Sequence, residues 1–222
     1  MDFFKLIKSL DELVYEVLSW LLFFPRTLWR ILTRPAATML AAEAELEQAE
    51  GDQFNDMIGP PLFLALTLAV IHIVELNLVG QDELVTRKDG FAKFISDDTN
   101  LLVLRIVLFG LLPLTVARRL LKVRGQEVEK NGLRAPFYAQ CFAAAMYATL
   151  FNVGTFVIGS TMEHRLLLGL AIIAIAILWF VAVETAWFRV KLACGTGRAL
   201  WNAVVVFVEW LAVLGLITIL IR

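Results

Sequence analysis

Four ionisable residues lie inside stretches that are otherwise apolar, and they are the first candidates for chemistry. They are Glu75, Arg105, Glu184 and Glu209. A charged side chain at the centre of a membrane-spanning helix costs about 2.5 to 3.5 kcal/mol on insertion scales, so each one needs a partner or a purpose. The chemistry open to such groups is ion pairing between helices, proton transfer, or the lining of a polar path.

Glu75 and Arg105 are predicted to form an ion pair. They lie at matched depths in consecutive apolar stretches, each about five residues from the same end of its stretch. Because consecutive antiparallel helices pack as neighbours, the pair would lock two helices together. His72 lies one helical turn before Glu75 on the same face, so the alternative hypothesis has these residues lining a polar pathway.

The other two glutamates are predicted to differ from each other. Glu184 falls near the end of its stretch, close to Arg189 and Lys191, and is expected to reach the membrane surface. Glu209 lies near the middle of the last stretch with no basic residue within a turn, so we expect a partner from another helix or another protein. The candidates within the chain are Asn152, Thr155 and Arg105. A protonated Glu209, hydrogen-bonded in the bundle, is the alternative.

Signatures of soluble enzymes are absent. The sequence has no Gly-rich phosphate loop and no Gly-x-Ser-x-Gly turn, and its histidines, His72 and His164, lack ligand spacing. The two cysteines, Cys141 and Cys194, lack the spacing of a zinc or redox motif, so we expect both to be reduced. The prediction is no enzymatic activity, no metal site and no cofactor.

Membrane-spanning helices are the elements that must position these residues. Of 222 residues 59% are hydrophobic and 18% charged, and a net charge of -1 offers no basic field for nucleic acid. A hydrocarbon core of about 30 Å needs about 20 apolar residues per helix. Five stretches qualify: residues 58–80, 100–117, 136–159, 165–187 and 200–221. The predicted fold is all-α, with a five-helix transmembrane domain at 57–222.

The distribution of basic residues predicts the orientation. Of the 20 Lys and Arg residues, 14 lie on the side of the N-terminus and five on the other, including Arg87, Lys88, Lys93, Arg165 and Arg222. Because positive residues near span ends stay in the cytoplasm, we expect the N-terminus inside and the C-terminus outside. The bias is compatible with a bacterial inner membrane.

The segment before the first span, residues 1–56, is predicted to be cytoplasmic and to contain an interfacial amphipathic helix. Its continuous apolar core, residues 18–24, is too short to span the membrane and is closed by Pro25 and Arg26. Its apolar face is formed by Phe3, Ile7, Leu10, Val14, Val17, Leu21 and Phe24. The residues expected at the membrane surface are Trp20, Arg26, Trp29, Arg30 and Arg34. A re-entrant hairpin or a helix docked under the bundle is the alternative. Residues 41–50, rich in alanine and glutamate, are expected to form a solvated spacer or, alternatively, a docking surface for a basic partner.

The start of the first span carries a motif. Asp56, Gly59 and Pro60 precede an apolar run that contains Thr67. In physical terms, Asp56 is expected to cap the first turn of a helix that begins near Pro60. The Asp-x-x-Gly-Pro pattern resembles the start of the first span in the Yip family, five-span membrane proteins first known for interacting with Rab proteins, and in particular its bacterial members.

The resemblance covers about residues 30–222 and includes Leu32-Thr33-Arg34-Pro35 and Gly195-Thr196-Gly197-Arg198-Ala199. It implies five spans, a cytoplasmic N-terminus and a role in organising membranes and recruiting proteins without catalysis. The tyrosine that often precedes the family's Gly-Pro is absent here, where Met57 and Ile58 stand. The resemblance therefore does not extend to Rab binding.

Three functions remain open at this point. The first is a non-enzymatic scaffold that binds other membrane proteins, or itself as a homo-oligomer, within the lipid bilayer, with the cytoplasmic helix and residues 118–134 as its contact surfaces. The second is a small oligomeric permease or channel in which Glu75, Arg105, Asn152 and Glu209 line a path. The third is an accessory subunit of a larger membrane complex. Inward-facing polar pairs favour the first function, a shared polar axis the second, and an exposed polar face the third.

Overall fold

The computed structural model describes residues 3–49, 53–78 and 98–221, and within those ranges it contains helices and no strands. The helices are α1 (Phe3–Thr33), α2 (Pro35–Glu45), α3 (Pro60–Leu78), α4 (Asp98–Val123), α5 (Lys130–Gly159), α6 (Arg165–Leu192) and α7 (Thr196–Ile221). The last five are long and apolar enough to cross a membrane. The chain is an integral membrane protein, and the predicted all-α fold with five spans is confirmed.

Helix α5 lies at the centre of the bundle. It contacts α1, α2, α3, α4 and α6, and its residues 141–148 are all buried. Four of these eight residues are alanines, and small side chains allow neighbouring helices to approach closely when lipid supplies no hydrophobic driving force between them. The alanine-rich segment of α5 therefore lets helices pack against it on every side, and α5 lies at the centre of the bundle.

Helices α4 to α7 extend beyond the predicted spans, and α4 and α5 do so by six residues at one end. Helix α4 continues to Val123, so Arg118, Arg119 and Lys122 lie on the helix instead of in a loop. Helix α5 begins at Lys130, six residues before the predicted start. Long basic side chains can place their charged ends at the membrane surface while their stems stay on a helix, which is why hydropathy alone makes these two helices too short.

The proline that closes the apolar core of the first helix does not end the helix. Helix α1 runs through Pro25 to Thr33. A proline inside a helix removes one hydrogen bond, but Thr27 and Ile31 beyond it are buried and Phe24 packs on Phe63 with ring centroids 5.0 Å apart. Packing against the bundle therefore holds the helix together across the proline, as in the docked-helix alternative.

The solvated spacer predicted for residues 41–50 is also wrong where it overlaps α2, at residues 41–45. Thr38, Met39 and Ala42 are buried, and α2 contacts α5 and α6. Glu43 forms an ion pair with Lys191 at the end of α6, so the acidic surface has a basic partner within the same chain. The apolar side of α2 belongs to the same core cluster as the transmembrane helices.

Several predictions fall outside the described part of the chain. They are the side chains of Phe3, Ile7 and Leu10 on the predicted amphipathic face, and the basic residues Arg87, Lys88, Lys93 and Arg222.

Candidate functional site

The first polar cluster joins α3 to α4. Arg105 donates to the Glu75 carboxylate, so the contact predicted from their matched depths is present. The pair is about one-fifth exposed, with side-chain exposures of 18% for Arg105 and 22% for Glu75. It brings together two charges that would each be costly alone at this position.

His72 completes this cluster. Its Nδ1 lies 3.5 Å from Nη1 of Arg105. Because arginine only donates, this contact is a hydrogen bond when Nδ1 is unprotonated, which places the proton of a neutral ring on Nε2. Nε2 is buried and has no hydrogen-bond partner within the described residues. The predicted grouping of His72 with Glu75 and Arg105 therefore exists in space.

The second cluster lies between α5 and α6. Glu184 is fully buried and accepts a hydrogen bond from Nε2 of Gln140 at 3.0 Å. The expectation that Glu184 reaches the membrane surface is wrong, because its face of α6 packs against α5. Trp187, one turn further along α6, is fully buried as well. Within the described residues, three atoms here have no hydrogen-bond partner: Oε1 of Glu184, Oε1 of Gln140 and Nε1 of Trp187.

Sequence reasoning did not find Gln140, although a usable signal was present. Gln140 lies 19 residues before the end of α5 at Gly159, and Glu184 lies 19 residues after the start of α6 at Arg165. In an antiparallel pair, residues equally far from the turn come to the same depth. The depth argument that predicted the Glu75 pair would have predicted this one had the neutral Gln140 been considered.

A close crossing near the same turn fixes the α5–α6 register. A Cβ atom on Gly154 would lie 2.9 Å from the carbonyl oxygen of Gly169, and one on Gly169 would lie 2.6 Å from that of Gly154. Each glycine therefore allows the backbone of the other helix to approach, as small residues do at membrane helix interfaces. This feature, too, was missed from the sequence.

The third cluster joins α4 to α7. Glu209 accepts from Nη2 of Arg118 at 3.3 Å and lies 3.9 Å from Nη1 of Arg119. Nε of Arg119 also donates to Oδ1 of Asn202 at 2.9 Å. A partner from another helix is present, as predicted, but the predicted candidates Asn152, Thr155 and Arg105 are wrong. Arg118 and Arg119 lie on α4 and not in a loop, so they reach Glu209.

The rejected candidates bond within their own helix. Nδ2 of Asn152 donates to the carbonyl of Ala148, and Oγ1 of Thr155 donates to the carbonyl of Asn152. Local bonds of this kind satisfy a polar side chain inside a membrane without any partner helix. Asn152 therefore belongs to none of the three clusters.

The residues of the Asp-x-x-Gly-Pro motif lie where α1 meets the start of α3. Helix α3 begins at Pro60, as predicted. Asp56 does not act as the predicted cap in this structure; its carboxylate pairs with Arg30 of α1 at 3.0 Å. Thr67 is buried and donates to the carbonyl of Phe63. The motif thus ties α1 to the start of α3.

Among the residues predicted at the membrane surface, exposure is uneven. Trp29 is 66% exposed, Arg26 and Arg34 are exposed, and Trp20 and Arg30 are half-buried. Both cysteines are free, Cys141 buried and Cys194 half-buried. No group of three or more His, Cys, Asp and Glu residues in the described ranges could hold a metal ion.

The three clusters each join a different pair of helices, so their common effect is to connect helices at defined depths.

No family model matches the chain, and neither a curated protein nor a solved structure matches it.

Proposed function

We propose that this chain is a non-enzymatic membrane scaffold, similar to the Yip family, that binds other membrane proteins through the exposed face of α1. The observation that carries the proposal is the contrast between two segments of α1. Residues 24–33 are anchored to the bundle through the buried Thr27 and Ile31, while residues 14–22 present large apolar side chains, with Tyr15 75%, Leu18 58% and Leu22 70% exposed.

The anchored segment, residues 24–33, gives α1 a fixed base. Arg30 is tied to Asp56, and Oγ1 of Thr38 in α2 donates to the carbonyl oxygens of Arg30 and Arg34 at 3.3 and 2.9 Å. A helix held rigidly at one end presents its other end in a defined direction, which lowers the entropy lost when a partner binds. Exposed apolar surface on such an element is typical of a site that meets a protein or a membrane.

The pairing of the polar side chains supports the scaffold hypothesis more than the pore hypothesis. The charges at Glu75 and Glu209 meet arginines from another helix of the same chain. Groups committed to such pairs connect helices and are less available to a passing solute.

The experiment places a photo-crosslinking amino acid at Leu18 or Leu22 of the full chain, expressed at native level in its own membrane. The matched control is Leu178 of α6, which is 69% exposed on a transmembrane helix. The complexes are then extracted with a native polymer and identified by mass. We expect a reproducible protein adduct from α1 and lipid adducts from Leu178.

Lipid adducts alone at all three positions would contradict the scaffold proposal, because α1 would then be only an interfacial helix. A crosslink between two copies of this chain would make the partner a second copy and would leave the scaffold function intact.

A small permease or channel is the second candidate, and the unpartnered polar atoms of Gln140, Glu184 and Trp187 favour it. Buried polar atoms in a bundle centre are the kind of group that transient water or a proton contacts. Proton or solute flux into liposomes that contain the purified chain, abolished by Glu184→Leu and retained by Asn152→Ala, would support this candidate.

A further inference from the structure

A groove of about 610 Å³ opens between α4 and the first turns of α5. It lies at the basic end of the bundle, the end where α4 and α6 end and where α5 and α7 begin. Leu114, Leu133 and Phe137 form the apolar wall, and Lys130 and Arg134 stand at the rim. The volume falls within the range of about 300 to 1,000 Å³ that is usual for small-molecule sites.

The two rim cations are placed unfavourably in the protein alone. Lys130 and Arg134 are four residues apart on one face of α5, both are exposed, and neither forms an ion pair within the described part of the chain. Like charges at this spacing destabilise a helix, and positive charge is disfavoured near a helix N-terminus. The first turn of α5 itself contains no acidic residue, and Glu129 at the N-cap, which precedes Lys130, forms no ion pair with it within the described residues.

Arg134 is held in position by an aromatic ring. The centre of its guanidinium lies 5.7 Å from the ring centroid of Tyr138, which is within the range of a cation–π contact. The Tyr138 ring in turn packs against Phe137, with centroids 6.3 Å apart. The positive group is therefore directed over the apolar wall.

We propose that this groove binds an anionic phospholipid, with its phosphate on Lys130 and Arg134 and part of an acyl chain along Leu114, Leu133 and Phe137. Two cations above an apolar wall match the order of charge and hydrocarbon in such a lipid. The apolar wall belongs to two membrane-spanning helices, whose surfaces meet acyl chains. This site is independent of the scaffold proposal, since it involves no residue of α1.

A second basic cavity, of about 440 Å³, lies at the junction of α1 and α2 and includes Trp29, Arg30 and Arg34. Its Arg30 is already paired with Asp56 at 3.0 Å, so it offers less uncompensated positive charge. The groove at Lys130 and Arg134 has no such internal anion on its rim, and it is the stronger site for an anionic headgroup.

The test measures lipid retention by native mass spectrometry on the full-length chain. The protein is reconstituted in mixtures of phosphatidylglycerol and phosphatidylcholine with identical acyl chains, then washed in detergent. We expect selective retention of phosphatidylglycerol, and Lys130→Gln/Arg134→Gln to weaken it about 30-fold, from about 1 kcal/mol per basic residue and 1.4 kcal/mol per factor of ten.

The matched control is Arg189→Gln/Arg198→Gln, which removes two exposed positive charges from the same end of the bundle. It should retain phosphatidylglycerol like the parent chain. Neutralising the exposed glutamates that precede the groove, Glu127→Gln/Glu129→Gln, should strengthen retention. The single variants Lys130→Gln and Arg134→Gln keep the test valid if the double variant fails to fold. Each is expected to weaken lipid retention by about half as much as the double variant on a logarithmic scale.

Three outcomes would overturn the proposal. Equal losses in the test and control pairs would indicate a diffuse electrostatic attraction to the whole basic end. No loss in the test variants would place the lipid elsewhere. Displacement of the lipid by millimolar glycerol phosphate would show that the apolar wall contributes nothing.

Discussion

The α3–α4 junction and the α5–α6 interface solve the same problem in different ways. The first is joined by an ion pair, Glu75 with Arg105, whose charged groups keep some exposure. The second is joined by a glycine crossing at Gly154 and Gly169 and by one buried hydrogen bond deeper in the interface. Charges hold helices that touch lightly, while close packing holds helices that touch along most of their length.

The difference teaches where each junction is vulnerable. An ion pair fails when one partner is removed, because the remaining charge is left in an apolar place. A close crossing fails when a single carbon atom is added, because the backbones must separate. Four sets of variants sharpen this comparison, each measured as a free energy of unfolding in mixed detergent micelles.

The largest effect is expected for Glu75→Leu. It removes the Glu75 carboxylate that the Arg105 guanidinium contacts and should cost about 3 kcal/mol, at the lower end for buried pairs because this one is partly exposed. Arg105→Leu should cost less, since an unpartnered carboxyl can take up a proton while a guanidinium cannot. The double variant should recover most of the loss. Equal costs for both single variants, with no recovery, would argue against an ion pair that joins the helices.

Alanine at the glycine crossing comes next. Gly154→Ala and Gly169→Ala should each cost about 2 kcal/mol, because the new Cβ atom would overlap the facing backbone. The matched control is Gly110→Ala in α4, where nothing lies within 4 Å of the added carbon. It should be neutral or slightly stabilising through helix propensity. Similar costs at all three positions would mean that the crossing is not specifically tight.

The buried hydrogen bond between Gln140 and Glu184 should make an intermediate contribution to the free energy of unfolding. Glu184→Leu leaves Nε2 of Gln140 buried without an acceptor, which should cost about 1 to 2 kcal/mol. Glu184→Gln keeps an acceptor of the same shape and should cost less than about 0.5 kcal/mol. The pair Gln140→Leu/Glu184→Leu should lie close to the parent protein. Greater harm from the glutamine variant than from the leucine variant would show that burying a polar side chain here costs more than its hydrogen bond to Gln140 contributes.

The smallest effect is expected at the α4–α7 contact. Arg118 is 53% exposed, so Glu209→Gln should cost less than about 1 kcal/mol, and the cost should shrink as salt is raised. A larger, salt-independent loss would mean that Glu209 and Arg119 behave like the pair at the α3–α4 junction.

Local composition accounts for the parts of this protein that sequence reasoning predicted correctly. The number of spans follows from the length of each apolar run. The contact of Glu75 with Arg105 follows from opposite charges at matched depth in helices that are consecutive along the chain. Neither inference requires knowing which face of a helix points inward.

The tertiary structure decided everything that depends on that face. Transmembrane helices are apolar on all sides, so the periodicity that marks the buried side of a soluble helix is missing from them. Hence the pattern of residue types along α6 does not show that Glu184 is buried. Helix α2 is too short to span, and its alanine- and glutamate-rich composition does not show that Met39 is buried either. The contact between Glu209 and Arg118 depended further on packing between helices far apart in the sequence, which only the assembled bundle sets.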